Sequence, residues 1–169
     1  MSPDLSPLIA ATAQWLTRAY PSGGGALESA LAGVQARQAV TVAAWLRYPT
    51  EMDAALVAFA GPGGSARLDW ITGADGDATA GEDPWRTWVD EVVASWAAAL
   101  LSTPGLAATA MGVLVASGRM DGPPVDFRRL VTPDEHDRRA ASLLRHPDLL
   151  APIADLHRAE LLDRLALAV

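Results

Sequence analysis

The stretch PWRTWVDEVVASWAAALLS, which runs from Pro84 to Ser102, holds Trp85, Trp88 and Trp96, half of the tryptophans in the chain. On a single helix, its large apolar side chains form one stripe, and the opposite side carries small and mildly polar residues. Exposing that stripe would be costly, because burying one large aromatic side chain removes about 150–250 Å² from water. The pattern therefore predicts a helix that packs on a sheet, with core positions at Val89, Val92, Trp96 and Leu100.

The beginning of this predicted helix supplies the first candidate binding residues. Asp83 is expected to cap the helix and Pro84 to occupy its first position. Trp85 and Trp88 then lie beside an acidic loop at 73–83. These two indoles are the ones that we expect at a surface or in the wall of a pocket.

The acidic loop invites comparison with a calcium site. Asp75, Asp77 and Thr79 occupy places one, three and five of an EF-hand-like register. Place six is Ala80 instead of a glycine, and place twelve is Arg86 instead of a bidentate glutamate. Because an arginine there repels a cation, we predict a solvated loop and no metal site.

Composition bounds the classes of protein to which the chain can belong. Its 169 residues fit one domain, predicted to span 1–169, and half of them are apolar, which suffices for a core. The net charge of −7 argues against binding to nucleic acid or to anionic membranes, since phosphate groups require a basic surface. An acidic surface suits instead a protein partner with a basic face.

Two residue types are missing, and each absence removes a class of chemistry. The chain contains no lysine, which excludes Schiff bases, lysine general bases and Walker-type phosphate loops. It also contains no cysteine, which excludes disulfides, thiol nucleophiles and cysteine zinc sites. We predict no cofactor, and we assign no catalytic residue.

Two segments bear on cellular location. Residues 1–10 lack the basic region that begins a secretory signal. The uncharged stretch 92–118 is interrupted by Thr103-Pro104-Gly105 and is only weakly apolar, so it is a poor membrane span. We expect a cytoplasmic protein with no membrane contact.

Hydrophobic patterning predicts an α+β fold. The alternation in AVTVAAWLRY indicates a strand at 40–47, and the segments 55–60 and 66–72, separated by GPGGS, read as a hairpin. A helix over 51–60, capped by Thr50 and Asp53, is the alternative for the first of these segments. The apolar run at 110–116 is either strand or helix, and its length and flanking glycines favour a strand. The expected fold is a small, mostly antiparallel sheet packed by amphipathic helices.

The C-terminal segment 132–169 is predicted to be helical. In the sequence TPDE, Thr132 is the expected cap and Glu135 completes a capping box. This helix should run to about Arg145, and a last helix should follow from Pro152.

Arginines concentrate in the last third of the chain, where 119–169 contains eight of the thirteen. Arg128, Arg129 and Arg138 are predicted binding residues for a small anionic ligand or an acidic partner. Arg138 and Arg145 are seven residues apart and share a helix face. The alternative is a solvated surface on which the arginines pair with Asp134, Asp137 and Asp148.

His136 lies between carboxylates in the sequence DEHD, an arrangement that can serve acid–base chemistry. The alternative is that the carboxylates are there because acidic residues stabilise the first turn of a helix. His136 joins the candidate binding residues, which in full are Trp85, Trp88, Arg128, Arg129, Arg138 and His136.

No catalytic constellation emerges, so the sequence favours a non-enzymatic interaction module of the adaptor, chaperone-like or immunity type. Its partner would be another protein or a second copy of the chain. The alternative is an enzyme or small-molecule-binding domain, in which the tryptophans wall a pocket, histidine and aspartate transfer protons, and arginines hold an anionic ligand.

Overall fold

The computed structural model describes residues 4–74, 83–119 and 125–168, and within these ranges the chain forms helices and no β-strand. The predicted α+β fold with an antiparallel sheet is therefore wrong, and the fold is all-α. The α-helices are α1 (Ser6–Ala19), α2 (Ala26–Arg47), α3 (Glu51–Ala60), α4 (Ala66–Thr72), α5 (Glu91–Ser102), α6 (Pro104–Ala116), α7 (Arg128–Val131), α8 (Glu135–Ala140), α9 (Pro147–Ala154) and α10 (Arg158–Ala166). Short 3₁₀ helices cover Pro84–Trp88 and Val125–Phe127.

Helix α5 is the centre of the fold. It packs against α1, α2, α6, α9 and α10, and its most extensive contact is with α2. Nine of its twelve residues are buried. Alanine is the commonest buried residue in both α2 and α5, and such small side chains allow two helices to approach closely.

The strand predicted at 40–47 is the C-terminal part of α2. This part of the helix is buried on almost every side, so no polar face marks the helical period and the alternating valines imitate a strand. The chain also offers no stop signal, because no glycine or proline lies between Gly33 and Pro49. The helix that begins at Ala26 simply continues.

The hairpin predicted at 55–60 and 66–72 is wrong, and the two segments are α3 and α4. The capping box considered as the alternative is present in α3. The Thr50 hydroxyl accepts a hydrogen bond from the Asp53 amide, and the Asp53 carboxylate accepts one from the Thr50 amide, each at 3.1 Å. The glycine turn joins two helices, with Gly61 at a φ of +74°.

The run at 110–116 is not a strand but the second half of α6. Pro104 starts this helix in its first turn, where a missing amide costs nothing. The two glycines of α6, Gly105 and Gly112, do not interrupt it. Six residues of helix precede the apolar run, so its length alone was a misleading guide.

The single tryptophan helix predicted from Pro84 is broken. A 3₁₀ helix ends at Trp88, and the chain is extended at Val89 and Asp90 before α5 begins. Asp90, not Asp83, makes the capping contact, and its carboxylate accepts a hydrogen bond from the Val93 amide at 3.1 Å. The predicted core positions nevertheless lie in the core: Val89, Trp96 and Leu100 are buried, and Val92 packs against them half-buried.

The C-terminal segment is helical, but its boundaries differ from those predicted. Asp134 replaces Thr132 as the cap of α8 and forms the capping box with Asp137. Helix α8 ends at Ala140, and a turn follows as far as Arg145. The predicted last helix is two helices, α9 and α10, separated at 155–157.

Two further expectations meet the described residues only in part. Residues 75–82 of the acidic loop, which include the candidate calcium positions, lie outside them. Among the described residues, no individual helix has both the length and the apolarity to cross a bilayer. Within the described ranges, one pair of helices, α5 and α6, reaches that criterion when taken together, and the chain bends by 119° between them.

Candidate functional site

The two tryptophans predicted to bind a partner are both half-buried and pack against the core. Two guanidinium groups lie within cation–π distance of the Trp85 ring centroid, that of Arg86 at 4.9 Å and that of Arg18 at 5.2 Å. Of four clefts formed by described residues, none is lined by Trp85 or Trp88. The interpretation of these residues as pocket walls finds no support in those clefts.

Arg86 takes part in a buried polar cluster that the sequence analysis missed. The Asp69 carboxylate, only 6% exposed, accepts hydrogen bonds from Trp15 Nε1 at 2.8 Å, Ser65 Oγ at 2.7 Å and Arg86 Nη1 at 2.9 Å. Each donor comes from a different part of the chain, and only Ser65 lies near Asp69 in sequence. The carboxylate joins α1, α4 and the 3₁₀ helix Pro84–Trp88, and its role is to hold these three segments together.

Two of the predicted arginines neutralise a buried carboxylate. The Asp137 side chain is fully buried and forms ion pairs with Arg129 and, at 3.3 Å, with Arg128. Asp137 also accepts the amide of Asp134 in the capping box of α8. Pairing with aspartate, the alternative that we considered for this cluster, describes Arg128 and Arg129.

Arg145, at the end of the turn that follows α8, is largely buried. Its guanidinium donates hydrogen bonds to the side chain of Gln35 and to the carbonyls of Leu101, Arg129 and Leu130. Burial is the largest influence and lowers the pKa of Arg145 to about 10. All of these acceptors are neutral, and no described carboxylate forms a salt bridge with this cation.

Arg138 differs from the other predicted arginines. Its side chain is exposed, and within the described part of the chain it forms no salt bridge. It lies beside Arg145 at a cleft between the end of α5 and the start of α9. The three predicted arginines therefore do not form one site: two serve a buried ion pair and one faces a cleft.

The predicted acid–base pair is not formed. His136 is exposed in the first turn of α8, and no hydrogen bond joins it to Asp134 or Asp137, whose carboxylates form the capping box. This arrangement agrees with the alternative, in which the carboxylates serve the helix start.

His157, unlike His136, contacts two carboxylates through its ring nitrogens. Its Nε2 lies 2.8 Å from a Glu91 carboxylate oxygen, and its Nδ1 lies 3.1 Å from one of Glu160. Burial lowers the pKa of His157, but the two carboxylates together outweigh burial and raise it above its ordinary value. The contact links the first turns of α5 and α10. No described cleft among the four is lined by His157 or His136.

The most unusual surface of the described residues is helix α3. Only Ala54 of its ten residues is buried, and no other described helix packs extensively on it. Phe59 is 94% exposed, Met52 70% and Leu56 60%, and these three side chains follow one another at helical spacing. We call the exposed apolar surface of this helix the α3 face; it consists of Met52, Ala55, Leu56, Ala58, Phe59 and Ala60.

Charge is nearly absent from the α3 face. Glu51 is the one charged residue among the exposed positions of α3, and the next charged residue along the chain after Asp53 is Arg67. Asp53 is held at the beginning of the helix by Thr50, whose hydroxyl donates to the carboxylate at 2.7 Å. This hydrogen bond lowers the pKa of Asp53, and Arg164 and Arg119 lower it further from a distance. The charges therefore gather at one end of α3 and leave the rest apolar.

The sequence contains a signal for the α3 face, although the segment 55–60 is predicted above to be one strand of a hairpin. The segment ALVAFA is as apolar as a core element, and the spacing of Thr50 and Asp53 marks the helix start. Exposure could not be inferred, because an apolar helix is normally covered by its neighbours.

Comparison with known proteins adds no relative: no protein-family model, no curated protein and no solved structure matches this chain.

Proposed function

We propose that this protein is a non-enzymatic interaction module and that its α3 face docks against a second copy of the chain. The observation that carries the proposal is the exposure of Phe59, Met52 and Leu56 on a helix that no other described helix covers. Contiguous apolar surface of this kind marks interaction sites in proteins. Large apolar and aromatic side chains are also the common anchors of interfaces.

The lack of charge on the α3 face favours an apolar partner surface, such as a second α3 face, over a partner with a basic face. The whole chain carries a net charge of −7, so two copies repel each other over most of their surfaces. The α3 face is the exception, because no like charges are brought together when two such faces meet. A basic partner would gain nothing from this surface and would be attracted to acidic regions elsewhere.

The alternation of large and small side chains on α3 suits packing against an identical helix. Leu56 and Phe59 are large and exposed, and Ala55 and Ala58, on the neighbouring strip of the helix, are small and exposed. A two-fold axis perpendicular to α3 would place the two α3 helices antiparallel, so that each large side chain meets the same set of residues on the other copy. The opposed helix dipoles add a favourable term.

The extent of the surface determines how strong this contact is. Covering Met52, Leu56 and Phe59 on both copies removes on the order of 700–800 Å² from water. The alanines of α3 bring the interface towards about 1,000 Å², the lower limit for specific association. We therefore propose a reversible dimer with a Kd on the order of 10–100 µM. A cytoplasmic location goes with this proposal.

Sedimentation velocity tests the proposal, from about 5 to about 500 µM chain so that the expected Kd is bracketed. The wild type should shift from monomer to dimer over this range. Phe59→Asp should stay monomeric, because a dimer would place two carboxylates against apolar surface. Phe59 is almost fully exposed, so the variant should fold normally.

Leu27→Asp is the matched control. Leu27 is 73% exposed but lies in the first turn of α2, at the far end of a helix about 33 Å long from the end that leads into α3. This variant should dimerise as the wild type does. A wild type that stays monomeric at every concentration contradicts the proposal, and so does a Phe59→Asp variant that still dimerises. Binding of the wild type to neutral lipid vesicles, abolished by Phe59→Asp, would assign the face to a membrane instead.

A further inference from the structure

A second surface, independent of α3, has the features of a ligand site. A cleft of about 310 Å³ opens where the end of α5 and the start of α6 meet the turn between α8 and α9. Its polar lining is Ser102, Arg138, Ser142, Arg145 and His146. Leu101 and three prolines line the rest, which makes the walls apolar and rigid.

The lining is positively charged and contains no acidic residue. Arg138 forms no salt bridge with any described residue, and the contacts of Arg145 are all with neutral oxygens. Burial lowers the pKa of Arg145, the charge of the buried Asp137 opposes this shift, and the charge of Arg138 adds to it. Arg138 is therefore the guanidinium of the cleft that lacks a carboxylate partner among the described residues, and an anion in the cleft would supply one.

The positions along the chain explain why these groups converge. The chain stays nearly helical from α8 into the turn that follows, with the amides of Ala141 and Arg145 bonded four residues back. Arg138, Ser142 and Arg145 are therefore four and three residues apart on one side. The hydroxyl of Ser142 adds a neutral donor to the two guanidinium groups.

We propose that this cleft binds a small organic anion, a phosphate or carboxylate group carried on a compact apolar body. Arg138 supplies the exposed guanidinium that contacts the anionic group, Arg145 supplies a fixed positive charge at the base, and the exposed prolines Pro104 and Pro147 pack against the body. The volume matches the lower end of the range for small-molecule sites, about 300–1,000 Å³. The proposal does not depend on the docking of α3.

The test is a calorimetric titration with phenyl phosphate and benzoate as probes and benzyl alcohol as the uncharged analogue. An ionic strength of about 0.15 M screens unspecific attraction. The anions should bind and the alcohol should not. Arg138→Gln should weaken binding about tenfold or more, because a charged hydrogen-bond donor is lost. Arg138 is exposed, so the variant should keep its fold, which circular dichroism can check.

Arg139→Gln is the matched control, since Arg139 is the next residue in the chain and pairs with Glu135 at 3.1 Å outside the cleft. It should bind both probes as the wild type does. Equal weakening by the two substitutions would reduce the effect to general charge and overturn the proposal. The proposal would also be overturned if neither anion bound at about 10 mM, because a Kd above that concentration is too weak for a specific site.

Discussion

Helices α3 and α5 are both rich in apolar residues, yet α5 is buried in the core and α3 is exposed on the surface. Nine of twelve residues are buried in α5, whereas one of ten is buried in α3. Apolar content therefore does not decide burial in this protein. The number of helices that can reach the segment decides it: five pack against α5, while none packs extensively against α3 among the described residues.

The two helices are also held in place differently. The cap of α5, Asp90, is itself buried and accepts a hydrogen bond from the Tyr48 hydroxyl as well as from the helix. The cap of α3 is a capping box between Thr50 and Asp53, which are neighbours in sequence. Helix α5 is thus fixed by tertiary contacts and α3 by local ones, and this contrast can be measured.

The largest expected difference comes from removing an aromatic side chain from each helix. Trp96 is 1% exposed, and its Nε1 donates to the His157 carbonyl at 3.0 Å. Trp96→Ala should lower the free energy of unfolding by about 3–5 kcal/mol. Phe59→Ala should change it by less than about 0.5 kcal/mol. Urea denaturation at low protein concentration measures both, and similar losses would show that Phe59 is packed.

Enlarging an alanine in each helix is the next test. Ala98 in α5 is fully buried, so Ala98→Leu should destabilise the fold by about 1–3 kcal/mol through overpacking. Ala58 in α3 is exposed, and Ala58→Leu should stay within about 0.5 kcal/mol of the wild type. Thermal unfolding followed by circular dichroism separates the two variants. An unchanged melting temperature in Ala98→Leu would mean that the core around α5 has spare room.

Replacing the cap of α5 and replacing the cap of α3 should differ more in how far the destabilisation spreads through the fold than in its magnitude. Asp90→Ala removes the acceptor of the Val93 amide and leaves the Tyr48 hydroxyl unpaired, so we expect a global loss of about 1–3 kcal/mol. Thr50→Ala should cost about 1 kcal/mol, confined to α3. Amide hydrogen exchange resolves the difference: protection should fall throughout the core in the first variant and only in α3 in the second. Loss of core protection in Thr50→Ala would contradict the contrast.

The smallest expected effect depends on pH. The pKa of His157 is raised in the folded state, so the imidazolium contact with Glu91 stabilises the protein below the unfolded pKa of about 6.5 and is lost as pH rises through the folded pKa. The stability difference between the wild type and His157→Gln should therefore be below about 1 kcal/mol and should shrink at alkaline pH. Denaturation at a series of pH values measures it.

The capping box of α3 should depend on pH in the opposite direction, because it loses stability as the pH falls. The pKa of Asp53 is lowered by its hydrogen bond with Thr50, so the capping box should weaken as pH falls below about 3.8. The protection of the α3 amides, measured relative to their intrinsic exchange rates at each pH, should therefore fall in acid in the wild type, and less so in Asp53→Asn. Equal loss of protection in both proteins would show that the carboxylate does not stabilise the cap.

Two side chains at the centre of the core could be predicted from the sequence alone. Trp96 and Leu100 were recognisable because their exposure would be costly. Pro104 starts α6, but the sequence analysis took it only as an interruption of the apolar stretch. The absence of lysine and cysteine is equally independent of the fold. Such features depend on composition or on residues a few positions apart.

The remaining features depend on contacts between segments that are distant in sequence. Whether 40–47 is strand or helix depended on burial from several sides, and whether α3 is covered depended on where the other helices lie. The arginines show the same dependence, since Arg128 and Arg129 are committed to Asp137 while Arg138 faces a cleft. The physical reason is that burial and ion pairing arise between segments distant in sequence, and local periodicity carries no record of which segments meet.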